Sequence, residues 1–150
     1  MVKFISAALA ALAIATISSA APVTSTSASS TAEVSADSSD NAFDTSVQYS
    51  GKGTWFTDTY GACNIVWDAE TQPIVALNAH QMGTESWGNP VCGKVVQIVN
   101  TSNGKSVQAT IVDKCPGNEC AYGSLDLSPA AFQQIGDLDT GILNIEWHYV

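Results

Sequence analysis

All four cysteines of the chain, Cys63, Cys92, Cys115 and Cys120, fall in one stretch of the C-terminal hundred residues. An even cysteine count behind an apolar leader implies disulfides made in an oxidising compartment, and hence a small fold stapled across its loops. Zinc would be the other use for such a set. No C-x-x-C pair exists, however, and His80 and His148 stand at no ligand spacing, so neither a metal nor another cofactor is expected. Of the three possible pairings, Cys115–Cys120 closes a short loop containing Pro and Gly, and Cys63–Cys92 closes a long one. In the chain-entropy picture the longer closure stabilises by roughly 3–4 kcal/mol. These two pairs are the expected ones.

The leader itself is residues 1–20. Lys3 supplies a positive start, Phe4 to Ile17 is almost wholly apolar, and Ser18-Ser19-Ala20 offers the small residues of a cleavage site. That run falls short of the roughly 20 residues a membrane span needs. It reads as a secretory signal, and the mature protein is expected to be extracellular, without a membrane partner. Residues 21–48 are rich in Ser, Thr and Ala, with Phe43 as their one aromatic. Such a segment buries too little to offset its ordering entropy, and is expected to be a disordered spacer. Residues 49–150 are long enough for one domain with one core.

Charge narrows the partners. Fourteen acids face five lysines, there is no arginine, and the net charge is −9. Phosphate recognition needs Lys and Arg, so nucleic acid is excluded as an expected partner. A neutral ligand suits the composition better.

The domain reads as mainly β, with one or two short helices. Strand-like runs cover Gly51–Phe56, Pro73–Leu77, Val95–Val99 and Ser106–Val112, and Asn103-Gly104 marks a hairpin between the last two. Asn100-Thr101-Ser102 on that turn is a glycosylation sequon, expected to be exposed. The terminal "GILNIEWHYV" alternates, sending Leu143, Ile145, Trp147 and Tyr149 to one face, the core. Ser128 as N-cap, Pro129 at the first helical position and Gly136 at the end outline a short helix. Ala79 to Met82 has the length of another single turn. Strands this short and this regularly spaced indicate a small barrel or sandwich.

Two aspartates flank the tight cysteine pair in "VDKCPGNECAYGSLDLS". Alternation puts Asp113 on the face of Val107, Ala109 and Ile111, where the strand leaves the core. Asp126, between Leu125 and Leu127, should face away from the core just before the helix. Two readings stand. Asp126 caps a turn while Asp113 pairs with Lys114 or solvent; or one of them is a partly desolvated groove acid with a raised pKa. Among the aromatics, Trp55 and Tyr122 are the expected sugar-stacking residues, ahead of Trp67 and Trp87, because a flat apolar ring suits a sugar face. His80 reads as an exposed loop residue.

The segments "GKGTWF", "GAC", "IVALN", "NPVCGKVVQI", "GKSVQATIVDKCP" and "CAYGSLDLSPAAFQQIG", ending at Trp147, resemble the secreted single-domain expansin-like proteins of fungi, the loosenins. Those belong to the rare-lipoprotein-A-like double-psi β-barrels. The resemblance implies a six-stranded double-psi β-barrel with a polysaccharide groove across one face. It assigns Asp126 to the acid that expansins require, Asp113 to the second groove aspartate, and Thr54 to the threonine supporting the required acid. Cys115 stands where expansins carry a tyrosine, and Tyr122 could compensate. Thr57 stands where many fungal relatives carry an acid, and Asp58 is displaced by one position. The implied function is non-hydrolytic loosening of a cell-wall glucan or chitin by a monomer. A weak endoglucanase or lytic transglycosylase is one alternative. A protease inhibitor or effector-type interaction protein is another.

Overall fold

The computed structural model describes residues 43–150. The leader expected at 1–20 and the spacer expected at 21–48 lie outside these residues, except for 43–48. Within that remainder, Phe43 packs edge-on against Tyr149 with ring centroids 5.3 Å apart, and the Lys94 ammonium sits 4.6 Å over its ring.

Six strands alternate with short helical turns: β1 (Tyr49–Trp55), β2 (Ile74–Asn78), α1 (Ala79–Met82), β3 (Val95–Asn100), β4 (Ser106–Cys115), β5 (Leu125–Leu127), α2 (Pro129–Ile135), a 3-10 turn (Leu138–Thr140) and β6 (Leu143–Tyr149). They close into a barrel in the order β1-β5-β2-β4-β3-β6. β1 runs parallel to β5 and β2 parallel to β4, and the remaining neighbours are antiparallel. This is the six-stranded barrel implied by the resemblance. Closure leaves no strand edge open to pair with another chain.

The interior is filled as alternation requires. Val75, Leu77, Val96, Ile98, Ile111, Leu125, Leu127, Ile145 and Trp147 are buried in one cluster, with Phe132 and Ile135 of α2 sealing it. β6 sends Leu143, Ile145, Trp147 and Tyr149 inward, as its sequence pattern indicates. Truncating any of the large residues to Ala would cost about 2–5 kcal/mol. Ser128 caps α2 as expected, its Oγ accepting from Ala131 N, and also ties the helix to the barrel. The same oxygen accepts from Ile74 N at 3.1 Å and donates to Gln72 O at 2.8 Å. Both expected disulfides form, Cys63–Cys92 and Cys115–Cys120. No helix of the described residues is long and apolar enough to cross a membrane.

One element is not visible in the sequence, and two expectations are corrected. β5 is a strand of only three residues, too short for its sequence to announce, and it exists because β1 and β2 bracket it. Asn100 is 2% exposed, not an exposed sequon: its Nδ2 donates to Ile135 O at 2.8 Å, and its Oδ1 accepts from Ser102 N. The side chain thus satisfies a carbonyl at the end of α2, and it is spent on the fold. Trp67, a lesser candidate for sugar stacking, is buried against Ala69, Ile74 and Val112 outside the barrel wall.

Candidate functional site

The pairing of four neighbouring strands lines up four side chains. Thr54 of β1 is opposite Asp126 of β5, Asp126 is opposite Ala76 of β2, and Ala76 is opposite Asp113 of β4. Directly paired residues share a face of a sheet. Leu125 and Leu127 point into the core on either side of Asp126, and Val75 and Leu77 do so on either side of Ala76. The row Thr54–Asp126–Ala76–Asp113 is therefore on the outer surface of the barrel. Adjacent strands are about 4.8 Å apart, so the two aspartates stand roughly 10 Å apart at the backbone. Ala76 between them is 3% exposed, packed against Cys115, Cys120 and Phe56.

Asp113 reaches this face through a bulge. Val75 pairs with Ile111 but Ala76 pairs with Asp113, leaving Val112 as an extra residue in β4. Without it Asp113 would follow Ile111 to the inside, as strict alternation predicts. The inserted residue reverses the phase, and bulges commonly re-aim a side chain in this way. The same bulge anchors a loop. Val112 O accepts from Cys63 N at 3.2 Å, and Asp113 Oδ1 accepts from Ala62 N at 2.6 Å and from Lys114 N at 2.7 Å. Gly61 lies flat against the Asp113 carboxylate, where a Cβ would overlap it.

Asp126 has a different environment. Thr54 Oγ1 donates to its Oδ1 at 2.6 Å. Partial burial pushes its pKa up; the Thr54 hydrogen bond pulls it down, and the carboxylates of Glu119, Asp113 and Asp58 push it up further. A carboxyl whose pKa is raised by burial holds its proton to higher pH than a free one, as a proton donor requires. Among the described residues no group of three or more His, Cys, Asp or Glu is arranged to hold a metal ion.

The other residues singled out from the sequence are dispersed. Trp55 follows Thr54 in β1, so its side chain leaves on the opposite side. Its indole N–H donates to Leu138 O at 3.2 Å, and the ring is 38% exposed. Tyr122 is also exposed but lies edge-to-face with Tyr49, centroids 6.2 Å apart, in a pocket lined by none of the row's residues. His80 is exposed, as expected, on α1 with Nε2 3.2 Å from Gly117 O. Trp87 is exposed in the loop before Cys92. Sequence reasoning missed Gly61, Ala62 and Ala76 as parts of the site. The one signal for the first two is their place in "GAC", directly ahead of a disulfide cysteine.

Comparison with known proteins agrees with this architecture. The chain is 38% identical over 104 residues to the papain inhibitor of Streptomyces mobaraensis, covering 67% of this chain and 71% of that protein. The solved structure of a Streptomyces papain inhibitor superposes with a TM-score of 0.63 at 35% identity, covering 72% of this chain and 98% of that one. An aspartate-to-asparagine mutant of the Clavibacter michiganensis expansin, in complex with cellohexaose, superposes with a TM-score of 0.57 at 25% identity. That match covers 69% of this chain and half of the expansin. The family model described as lytic transglycolase, a double-psi β-barrel, matches residues 49–147, from the start of β1 into β6. A closed six-stranded barrel with its parallel pairs, matched by that model from β1 into β6, makes this chain a member of the rare-lipoprotein-A-like double-psi β-barrel family.

Proposed function

We propose that the protein is a secreted, expansin-like binder of cell-wall polysaccharide, a glucan or chitin, that loosens its substrate without net hydrolysis. The observation that carries this reading is the Thr54–Asp126 pair: a half-buried carboxyl with a raised pKa, positioned by a hydroxyl and facing outward. Polysaccharide chains adhere to each other through neutral hydroxyl–hydroxyl bonds worth about 1 kcal/mol each, whereas bonds to a charged group are worth about 1.5–3 kcal/mol. A fixed carboxyl competes well for a sugar hydroxyl and releases it from the neighbouring chain. The expansin solved with cellohexaose supports a glycan of this kind, and the two disulfides and the apolar leader support an extracellular site of action.

Hydrolysis with inversion needs a second carboxylate about 6.5–9.5 Å from the acid and free to activate water. Asp113 spends one oxygen on two backbone N–H groups and has Gly61 against its face, so its role is to hold the 61–63 loop and the groove wall. The resemblance to the expansin-like proteins implies an acid where this chain has Thr57. Wild-type protein should lower the tensile strength or viscosity of a polysaccharide network while releasing no reducing ends, and Asp126→Asn should lose that effect. Sustained release of reducing ends would establish an endoglucanase instead. Release of anhydro-sugar ends would establish lytic transglycosylation.

A second reading, inhibition of papain-like proteases, is favoured by the 38% identical relative named for that activity. Titrating papain with the protein decides it: stoichiometric inhibition without polysaccharide binding would replace the first reading.

A further inference from the structure

Beyond the acid row, the barrel carries a pocket of about 320 Å³ lined by Tyr49, His80, Gln81, Val91, Tyr122 and Tyr149. It is at the small end of the range of ligand pockets, about 300–1,000 Å³. Its walls are rigid. Tyr49 stacks on the buried Trp147 at 4.5 Å and meets Tyr149 edge-on at 6.3 Å. The segment carrying Tyr122 is fixed on both sides, by Cys115–Cys120 before it and at Gly123 after it. There the Gly123 N–H donates to Gln81 Oε1 at 3.0 Å, and its carbonyl accepts from Trp147 Nε1 at 2.8 Å. His80 closes the rim by its contact with Gly117.

Tyr122 nevertheless leaves 63% of its surface in solvent, and its ring meets only Tyr49 among the aromatics. Among the described residues, the hydroxyls of Tyr49, Tyr122 and Tyr149 have no hydrogen-bond partner, nor do His80 Nδ1 and the Gln81 side-chain N–H groups. No carboxylate or ammonium lines the pocket, in a chain of net charge −9. The pocket thus offers flat aromatic faces with neutral donors and acceptors around them. An apolar ligand would leave those polar groups unpaired, and an ion would find no counter-charge. A ring with one apolar face and hydroxyls on its edge satisfies both constraints.

We propose that this pocket is a second carbohydrate site, independent of the acid row, which takes one neutral pyranose unit stacked on Tyr122 and hydrogen-bonded by the surrounding hydroxyls. The test is a titration of the isotopically labelled protein with cellotetraose, with chitotetraose and with papain, followed by NMR. Either oligosaccharide should shift the resonances of Tyr49, His80, Gln81 and Tyr122, whether or not those of Ala62, Lys114 and Asp126 at the acid row also move. Tyr122→Ala should weaken the pocket response roughly three- to tenfold, the scale of one lost ring stack. The remaining spectrum should be unchanged, because the ring is mostly exposed. Tyr122→Phe should keep most of the binding. Shifts confined to the acid row would overturn the pocket and leave the row's function standing. Pocket shifts with papain but with neither sugar, no pocket shift with any of the three, or equal binding by Tyr122→Ala would also overturn it.

Discussion

Thr54 and Asp126 are separated by 72 positions in the chain and by 2.6 Å in space, hydroxyl to carboxylate, across the parallel pair β1/β5. The hydroxyl is the one neighbour that opposes the upward push of burial and of three surrounding carboxylates on Asp126. It sets the fraction of Asp126 that is ionised at a given pH. Thr54→Val removes the hydroxyl and keeps the shape, so the pKa of Asp126 should rise further. The pH profile of loosening should move to higher pH, because the lost bond stabilised the charged form by about 1.5–3 kcal/mol. An unshifted profile would show that the pair has no part in activity.

The same carboxyl has a stability consequence. Because its folded-state pKa is raised above 3.8, the folded state holds the proton more tightly than the unfolded chain. The resulting stabilisation is fully present below the unfolded value and is lost as pH rises through the folded one. Asp126→Asn cannot ionise there. It should be at least as stable as wild type near neutrality, with the difference closing as the pH falls below about 4. Melting temperatures of the two chains between pH 3 and 8 provide the check. A variant markedly less stable at every pH would make Asp126 a structural cap.

Gly61 and Asp113 should behave as a unit. A methyl group at Gly61 overlaps the carboxylate, so Gly61→Ala should cost about 1–3 kcal/mol by denaturant unfolding, the usual scale of overpacking. In an Asp113→Ala background the same change should cost little. That non-additivity is the signature of two groups in contact. Additive costs would place the strain of Gly61→Ala elsewhere.

Asn100 should be indispensable to the fold and free of glycan. Its amide is committed to Ile135 O, and a sugar on Nδ2 would have to be accommodated inside the barrel's lower seal. Peptide mass mapping of the secreted protein should find position 100 unmodified. Asn100→Ala, which leaves the Ser102 N–H without its acceptor and the Ile135 carbonyl with only Asn103 Nδ2, should cost about 1–3 kcal/mol.

What could be read from the sequence was local. The alternation of β6, the Ser128-Pro129 start of α2 and the two disulfide closures each depend on neighbours a few residues away or on covalent pairing. What could not be read depended on a distant partner. Val112 looks like an ordinary member of a β-branched run, and only the register of β2 turns it into the bulge that brings Asp113 outward. Leu125–Leu127 becomes a strand only because β1 and β2 flank it, and Asn100 is buried only because α2 ends above it. Tyr122 was legible as an exposed aromatic. Its company, Tyr49 and Tyr149 from the two ends of the domain, was not.

The order of the strands also governs when the site comes into being. β1, the first strand made, has no partner before β5 and β6, the last two. Until the C-terminal residues have emerged, the N-terminal half has no seam to close on, and Thr54 has no acid to support. Such long-range pairings make for slow, late folding, with little of the final structure accessible on the way. The Thr54–Asp126 half of the acid site therefore forms late, and a chain truncated within β6 should lack it along with the closed barrel.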